Sequence, residues 1–536
     1  MAKSTDRLAV WAVDSLEKVT RDAEPVPAGD RIEVEACRNE FSSAQVAVRA
    51  IQPVRELRVS LSQPRHEQTG ARGVELTARF VGYIPVENNT PDTPAEELSC
   101  TAPALVPDPL LADEVIGLEA NTTQPVWLTV FVPRDAPPGK WAGAVEVQAD
   151  GTAVEVPFHL TVFPVTLPRE RHLLVTNWMN LGNFASFYGT QRHTPRFWQV
   201  VANFASNLAA HRHNVTWCPN DLIHITQEAE GKLSFDYSDY DRWVQIFDSA
   251  GCMDLIEGGH VGMRGDGKWE NPWFDWRPLR VRSRDGAEVK VDPELAVKEL
   301  VKSLIAHVHE RGWFERFIMH VVDEPAPHTE ESYKEKSRLI HELMPGVRFI
   351  EAMSLLDMRG YLDIWVPNLD HLDEHREHYL NLRDESGFDL WFYTCMYPTG
   401  RYPNRFLDHS LLKTRILHWI NWRYHLTGYL HWGLNYWTED PFKQAQLGTY
   451  PPGDAFIVYP GADGPLDSLR WEQMREGLQD FELLWLLDQR TKETGKDAGK
   501  ADRICADLVP DPLTYARQPA RLRAARRAII DAILAG

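Results

Sequence analysis

The sequence offers no paired cysteines. Its six, at positions 37, 100, 218, 252, 395 and 505, stand in no C-x-x-C spacing, which excludes the common zinc and thiol-redox motifs and leaves buried thiols as the plain reading. No apolar run approaches the roughly 18 residues of a membrane span, so no membrane insertion is expected. The opening residues, MAKSTDRLAVWAVDSLEKV, lack the apolar core of a signal peptide. The expectation is a cytoplasmic protein, or a secreted one if a leader has been removed. Cations are in the minority: Lys plus Arg number 57 against 77 for Asp plus Glu, a net charge of -20. Such a molecule repels nucleic acid and anionic lipid, and RLRAARR near the C-terminus is the one basic cluster in the chain. A glycine-rich phosphate loop is missing, as is any group of three His or Cys, so no cofactor and no metal are expected.

Aromatic residues, by contrast, are plentiful. Nineteen tryptophans and sixteen tyrosines exceed what packing needs, and exposed aromatic faces stack on the apolar faces of sugar rings. At 536 residues the chain is too long for one ordinary core. From Leu8 to about Pro168, short β-rich runs such as LAVWAV, RIEVEAC and QPVWLTVFVP alternate with Pro and Gly breaks. This pattern predicts an antiparallel β-sandwich over 1–168, interrupted by an irregular insertion from Leu98 to Thr122. Over 169–497 the rhythm becomes strand, loop, helix, eight times, the fifth unit with only a short helix. Eight alternations predict a (β/α)8 TIM barrel, so the chain is expected to be multidomain, all-β followed by α/β. Residues 498–536 read as a C-terminal helical extension.

Active sites in this barrel lie at the C-terminal ends of the strands. The predicted ends present Asn177, Trp178 and Asn180, then Trp217, His260, Asp323 with Glu324, and Glu351, followed by Trp365 with Asn368, Tyr393 with Tyr397, and Trp432 with Asn435 and Trp437. Aromatic, amide and carboxylate groups fit a neutral, hydroxyl-rich ligand. The pair Asp323-Glu324 closes FIMHVVDEP, an apolar run that reads as a strand ending at the pair because Pro325 cannot donate to a ladder. Two carboxylates that flank a glycosidic bond usually stand about 5 to 9.5 Å apart on different strands. Neighbours whose α-carbons are about 3.8 Å apart approach from one side and repel each other, which raises one pKa as a general acid requires. An adjacent pair suits the substrate-assisted variant, in which the 2-acetamido oxygen of the sugar attacks the anomeric carbon. His260 fits either a hydroxyl contact or a structural hydrogen bond, Trp178 and Trp365 either pocket wall or packing, and two of Trp432, Asn435 and Trp437 line the sugar site. Glu351 and Glu439 are the rival acids for a conventional nucleophile.

The order of β-sandwich, barrel with DEP after the fourth strand, FYTCMYPTGRYPN, GYLHWGLNYW and YPGADGPLDSLRWEQMREGLQDFELL resembles glycoside hydrolase family 123 over nearly the whole chain. What the resemblance implies is an exo-acting, retaining β-N-acetylgalactosaminidase that works through an oxazoline without a metal. Asp323 would hold the acetamido group, Glu324 would be general acid and then base, and Tyr393, preferred over Tyr397, would meet the acetamido oxygen. The expected partner is a glycan or glycolipid oligosaccharide substrate; homo-oligomer formation is left open. The alternatives are a barrel glycosidase for β-GlcNAc, β-galactoside or a bacterial polysaccharide, and a non-catalytic sugar-binding protein. Export is frequent among relatives, which sets the family against the cytoplasmic expectation.

Overall fold

The computed structural model describes residues 3–26, 30–229 and 232–535. Two sheets form the N-terminal sandwich. One has six strands, in the order Lys3–Ser4, Leu8–Val13, Glu40–Ala50, Thr123–Val132, Glu75–Val86 and Ala104–Leu110. The other has five, in the order Ile32–Arg38, Thr152–Thr166, Gly139–Ala149, Val54–His66 and Val115–Leu118. Alternating residues such as Val46, Val48, Val145 and Val147 point inward from both sheets and fill one apolar core. Two expectations need correction. The pairing of Ile32–Arg38 with Thr152–Thr166 is parallel, so the sandwich is antiparallel except at that edge. The span Leu98 to Thr122 is not wholly irregular, because Ala104–Leu110 and Val115–Leu118 are edge strands. Pro107 and Pro109 disguise the first, and proline is tolerated at an edge where no N–H is owed to a neighbour.

The second unit is a barrel of eight parallel strands: β1 (Leu174–Asn177), β2 (Val215–Cys218), β3 (Leu255–Gly258), β4 (Phe317–Met319), β5 (Arg348–Met353), β6 (Ile364–Pro367), β7 (Asp389–Tyr393) and β8 (Gly428–His431). Ladders join neighbours from β2 round to β8 and β8 to β1. Among the described residues none joins β1 to β2. There the amide of Asn214 spans the gap, its Nδ2 donating to the Leu173 carbonyl at 3.1 Å and its Oδ1 accepting from Val175 N at 2.9 Å. Side chains alternate as the pleat requires. Ile350, Ala352, Ile364, Val366, Trp391 and Leu430 fill the barrel, while Phe349, Trp365, Phe392 and Tyr429 face the helix layer.

The outer layer contains α1 (Pro195–Ala210), α2 (Ser238–Ala250), α3 (Pro293–Glu310), α4 (Glu330–Leu343), α5 (Arg376–Ser386), α6 (Leu411–Arg423) and α7 (Leu469–Thr494). The fifth unit has no helix among its described residues: 354–363 is a turn, and β6 begins at once. Beyond α7 come a helix over Lys500–Leu508 and α8 (Pro519–Ala535), which lies on α7 and on the strand Thr152–Thr166.

Helix α7 is buried along most of its length and carries part of the contact between the two units. Arg470 uses every nitrogen of its guanidinium. It pairs with Asp108 of the sandwich, Nη2 to Oδ2 at 2.8 Å, and donates to the carbonyls of Arg405, Gly453 and Phe456. Glu472 accepts from Trp127 and Thr129 of the sandwich, and Gln479 exchanges two hydrogen bonds with the backbone of Phe41. Both Arg470 and Asp108 are fully buried, so removing one partner leaves the other charge without compensation. Asp108→Ala is expected to cost about 3–5 kcal/mol. Arg527→Ala, which breaks a half-exposed pair between α8 and Glu35 of the sandwich, is expected to cost no more than about 1 kcal/mol. Denaturation midpoints followed by circular dichroism check the contrast; equal shifts would contradict it.

Candidate active site

The sequence places a histidine in the middle of the fourth strand's apolar run, and the site is built around it. His320 is completely buried just beyond β4. Its Nε2 donates to Glu257 of β3 at 2.8 Å and its Nδ1 to Glu351 of β5 at 2.9 Å. Burial would lower its pKa, but the charges and hydrogen bonds of Glu351 and Glu257 outweigh that and raise it to about 10. His320 is therefore an imidazolium clamped between two carboxylates. Burial raises the pKa of Glu351, yet the charge of His320 brings it below the usual range.

The β4 ladder stops at Met319, earlier than the sequence suggests. Glu351 is the cause: its Oε1 accepts from the backbone N–H of Val321 and of Val322, replacing a neighbouring strand. The chain then turns, and Glu324 adopts a left-handed φ of 50°. That conformation is uncommon outside glycine, and it breaks the alternation that would send consecutive side chains to opposite faces. Asp323 opens into the mouth of the barrel with half of its side chain exposed, its Oδ1 3.7 Å from His260 Nε2. Glu324 Oε1 accepts from the Tyr393 hydroxyl at 2.7 Å. Burial, Glu324 and Glu351 together push the Asp323 carboxyl above the ordinary range, although water reaching its open side screens part of the effect. Burial and the Glu324 charge likewise keep the Tyr393 hydroxyl protonated.

Behind the pair, burial and the positive charge of His320 lower the pKa of His260 to about 4, so it is a neutral imidazole. Its Nε2 is buried without an aligned hydrogen-bond partner among the described residues and faces Asp323 and, at 3.4 Å, Glu351. Trp178 and Trp217 form the floor, their rings 4.8 Å apart, with Trp178 Nε1 donating to Glu257 at 2.8 Å. Just past β8, next to Trp178, Trp432 packs on Tyr436 and Tyr450 at 4.9 and 5.5 Å and donates to the buried Asp454 at 3.2 Å. Burial and the nearby Asp323 raise Tyr436 to about 12.

The structure thus brings together Asp323, Glu324, Tyr393, His260, Trp178 and Trp432. It removes others. Trp365 stacks on Phe388 at 3.9 Å in the helix layer because its position in β6 has outward parity. Asn435 is fully buried and clipped to the backbone N and O of Asn180, while the Asn180 side chain caps the short helix Leu181–Phe187. Trp437 donates to the Val458 carbonyl at 2.7 Å and packs against Phe187. Asn177 is held by His213 and Arg405. Tyr397 is exposed on the loop after β7, and its carbonyl accepts from Asn368. Glu351 is wholly engaged, and Glu439 is exposed without a contact to the pair. Sequence reasoning missed Arg264, which reaches from the 262–289 insertion under the Trp269 ring and donates to the Glu324 carbonyl oxygen. It also missed Tyr436, Tyr450, Asp454 and the His320 clamp.

The sequence reading concerned groups of three His or Cys; the structure also brings together mixed His and carboxylate groups close enough to hold an ion. His260, His320 and Glu351 meet beside the mouth, and His193, His224 and Asp239 meet nearer the surface. In the first, both nitrogens of His320 are already given to carboxylates, a donor arrangement that suits a proton better than a cation.

A family model described as glycoside hydrolase 123, catalytic domain, matches residues 178–487, and one described as glycoside hydrolase 123 N-terminal domain matches residues 10–149. Among solved structures, a family 123 glycoside hydrolase from Clostridium perfringens, studied for glycolipid glycan hydrolysis, is similar over 99% of this chain and 98% of its own. Its TM-score is 0.77 at 16% identity. A termite-gut GH10 xylanase with a bacterial Ig-like domain follows, with a TM-score of 0.34 at 10% identity over 84% of this chain and 99% of its own. No curated protein matches the chain significantly.

The His320 clamp makes a prediction. Its folded pKa lies above the unfolded value of about 6.5, so its stabilisation is complete below that pH, erodes above it and is gone past about 10. Urea midpoints measured across this window should fall in the wild type by more than in His320→Gln. Parallel curves would show that His320 does not carry the charge.

Proposed function

The chain belongs to glycoside hydrolase family 123, and from that premise we propose that it removes terminal β-linked N-acetylgalactosamine from glycans or glycolipid oligosaccharides. The reaction retains configuration and uses the substrate's own acetamido oxygen as nucleophile. The observation that carries this reading is the position of Asp323 and Glu324 on one turn at one side of the mouth, while the other carboxylates nearby are occupied. Glu257 and Glu351 hold His320, and Asp454 is buried under Trp432.

Each group then has a task. The acetamido N–H donates to Asp323, which favours the charged form of that carboxylate and shifts the proton of the pair onto Glu324. Glu324 delivers the proton to the leaving oxygen as the acetamido oxygen closes on the anomeric carbon. It then takes a proton from the water that opens the oxazoline. Tyr393 orients Glu324 through its 2.7 Å hydrogen bond, and Arg264 fixes the backbone at Glu324. Trp178, Trp217 and Trp432 offer ring faces to the sugar. Family and structural likeness bring the glycolipid substrates of the Clostridium perfringens enzyme into this proposal. Secretion fits such substrates better than the cytoplasmic expectation does.

The test is release of 4-nitrophenol from the β-GalNAc, β-GlcNAc and β-galactose glycosides. Activity should be confined to 2-acetamido sugars, with β-GalNAc preferred, and should fall by about 10²–10⁴-fold in Glu324→Gln and in Asp323→Asn. Hydrolysis of the plain galactoside that survives Asp323→Asn would place the nucleophile on another strand and overturn the mechanism.

A further inference from the structure

Beside the carboxylate pair, between the loops that follow β2 and β3, a cleft of about 950 Å³ opens. Trp217 and His260 form its inner end, so it is continuous with the candidate site. Its outer wall is a four-stranded sheet that belongs to neither main unit: His224–Ala229 and Lys232–Asp236 come from the loop after β2, and Val281–Ser283 and Glu288–Val289 from the loop after β3. Two excursions that have no part in building the barrel have been extended and paired to make this wall.

The charge of the cleft is opposite to that of the molecule. Arg192, Arg277, Arg280, Arg282 and Arg284 line it, against one carboxylate, Asp221, in a chain of net charge -20. Intramolecular partners neutralise only part of this. Arg192 reaches Asp221 at 2.7 Å and Arg284 reaches Glu228 at 2.5 Å, but Arg280 stands 3.9 Å from Glu288. Arg277 and Arg282 have no carboxylate within ion-pair distance among the described residues. Arg277 is fixed at the inner end, its backbone N–H donating to the Val261 carbonyl next to His260 at 2.9 Å. Its charge reaches His260 and adds to the lowering of that imidazole. Arg282 stands on the wall opposite Thr226. Several like charges around one cavity repel each other until an anion enters, and guanidinium forks match carboxylate and sulfate geometry.

We propose that this cleft receives the aglycone and selects an anionic one: a sugar carrying a carboxylate or a sulfate, placed next to the terminal residue that is removed. The proposal rests on the glycosidase reading of the neighbouring carboxylates for its orientation, with the terminal sugar on Asp323 and Glu324 and the rest of the chain running out past Arg277 and Arg282. It narrows the substrate class from glycans in general to acidic ones.

Three disaccharides that share a non-reducing β-GalNAc and differ only at C6 of a 4-linked second sugar decide the matter: the second sugar is glucose, glucuronic acid or glucose 6-sulfate. We expect kcat/KM for the acids to exceed that for the neutral disaccharide by about tenfold or more at low salt. The preference should shrink as ionic strength approaches about 0.5 M and should be lost in Arg277→Ala/Arg282→Ala. It should persist in Arg277→Lys/Arg282→Lys, which keeps the charge, and the order of the two acids tells carboxylate from sulfate. Equal kcat/KM for all three in the wild type overturns the proposal. Should none be hydrolysed, the glycosidase reading falls, and calorimetric binding of the same three to Glu324→Gln still decides. Tighter binding of the acids that depends on the two arginines upholds the cleft, and equal affinities sink it.

Discussion

A single buried proton organises the barrel. The imidazolium of His320 sits between Glu257 and Glu351, hydrogen-bonded to a carboxylate oxygen of each, and its charge holds Glu351 below the usual carboxylate range despite burial. Because His320 neutralises it, Glu351 is free to act as a backbone surrogate for Val321 and Val322. Those N–H groups lie where β4 leaves the sheet and would be orphaned without it. The turn that presents Asp323 and Glu324 is therefore fixed by electrostatics from below. Trp178, bonded to Glu257, and His260, crowded by the same cation, take their positions from this centre as well.

A second set of buried charges ties the sandwich to the site. Asp108 holds Arg470, and Arg470 holds the carbonyls of Arg405, Gly453 and Phe456. Asp454, next along the chain, anchors Trp432. An aspartate on an edge strand of the N-terminal sheet thus helps set one aromatic wall of the mouth. The sandwich is part of the foundation of the site.

Much of this was legible in the sequence, and the rest was hidden for identifiable reasons. Eight alternations of strand and helix announced the barrel, and the apolar run ahead of Asp323 and Glu324 marked the strand that delivers them. Parity was harder to read. Trp365 lies one residue from inward-facing Ile364 and Val366, and only the register of β6 decides which way it points. Asn435 and Asn180 look like sugar-binding amides, yet they satisfy backbone groups where the chain leaves regular structure, a use of amide side chains that leaves no periodic trace. His320 was the signal most open to use: a titratable residue inside FIMHVV needs a buried partner, and Glu257 and Glu351 were the acids on adjoining strands. Arg264 could not have been found this way, since its approach to Glu324 depends on the path of a long insertion.

The stitch at Asn214 has a mechanical meaning. Among the described residues, seven of the eight seams in the barrel wall are ladders, and the eighth, between β1 and β2, is bridged by side chains, the Asn214 amide and the contact of Asn177 with His213. A ring cut at one place bends at the cut. Trp178 and Trp217 stand just above its two lips, one at the end of each strand, and the arginine-lined cleft begins at Trp217. The barrel is in effect a split collar whose gap lies under the Trp178 and Trp217 floor, the one seam among the described residues where side chains stand in for a ladder.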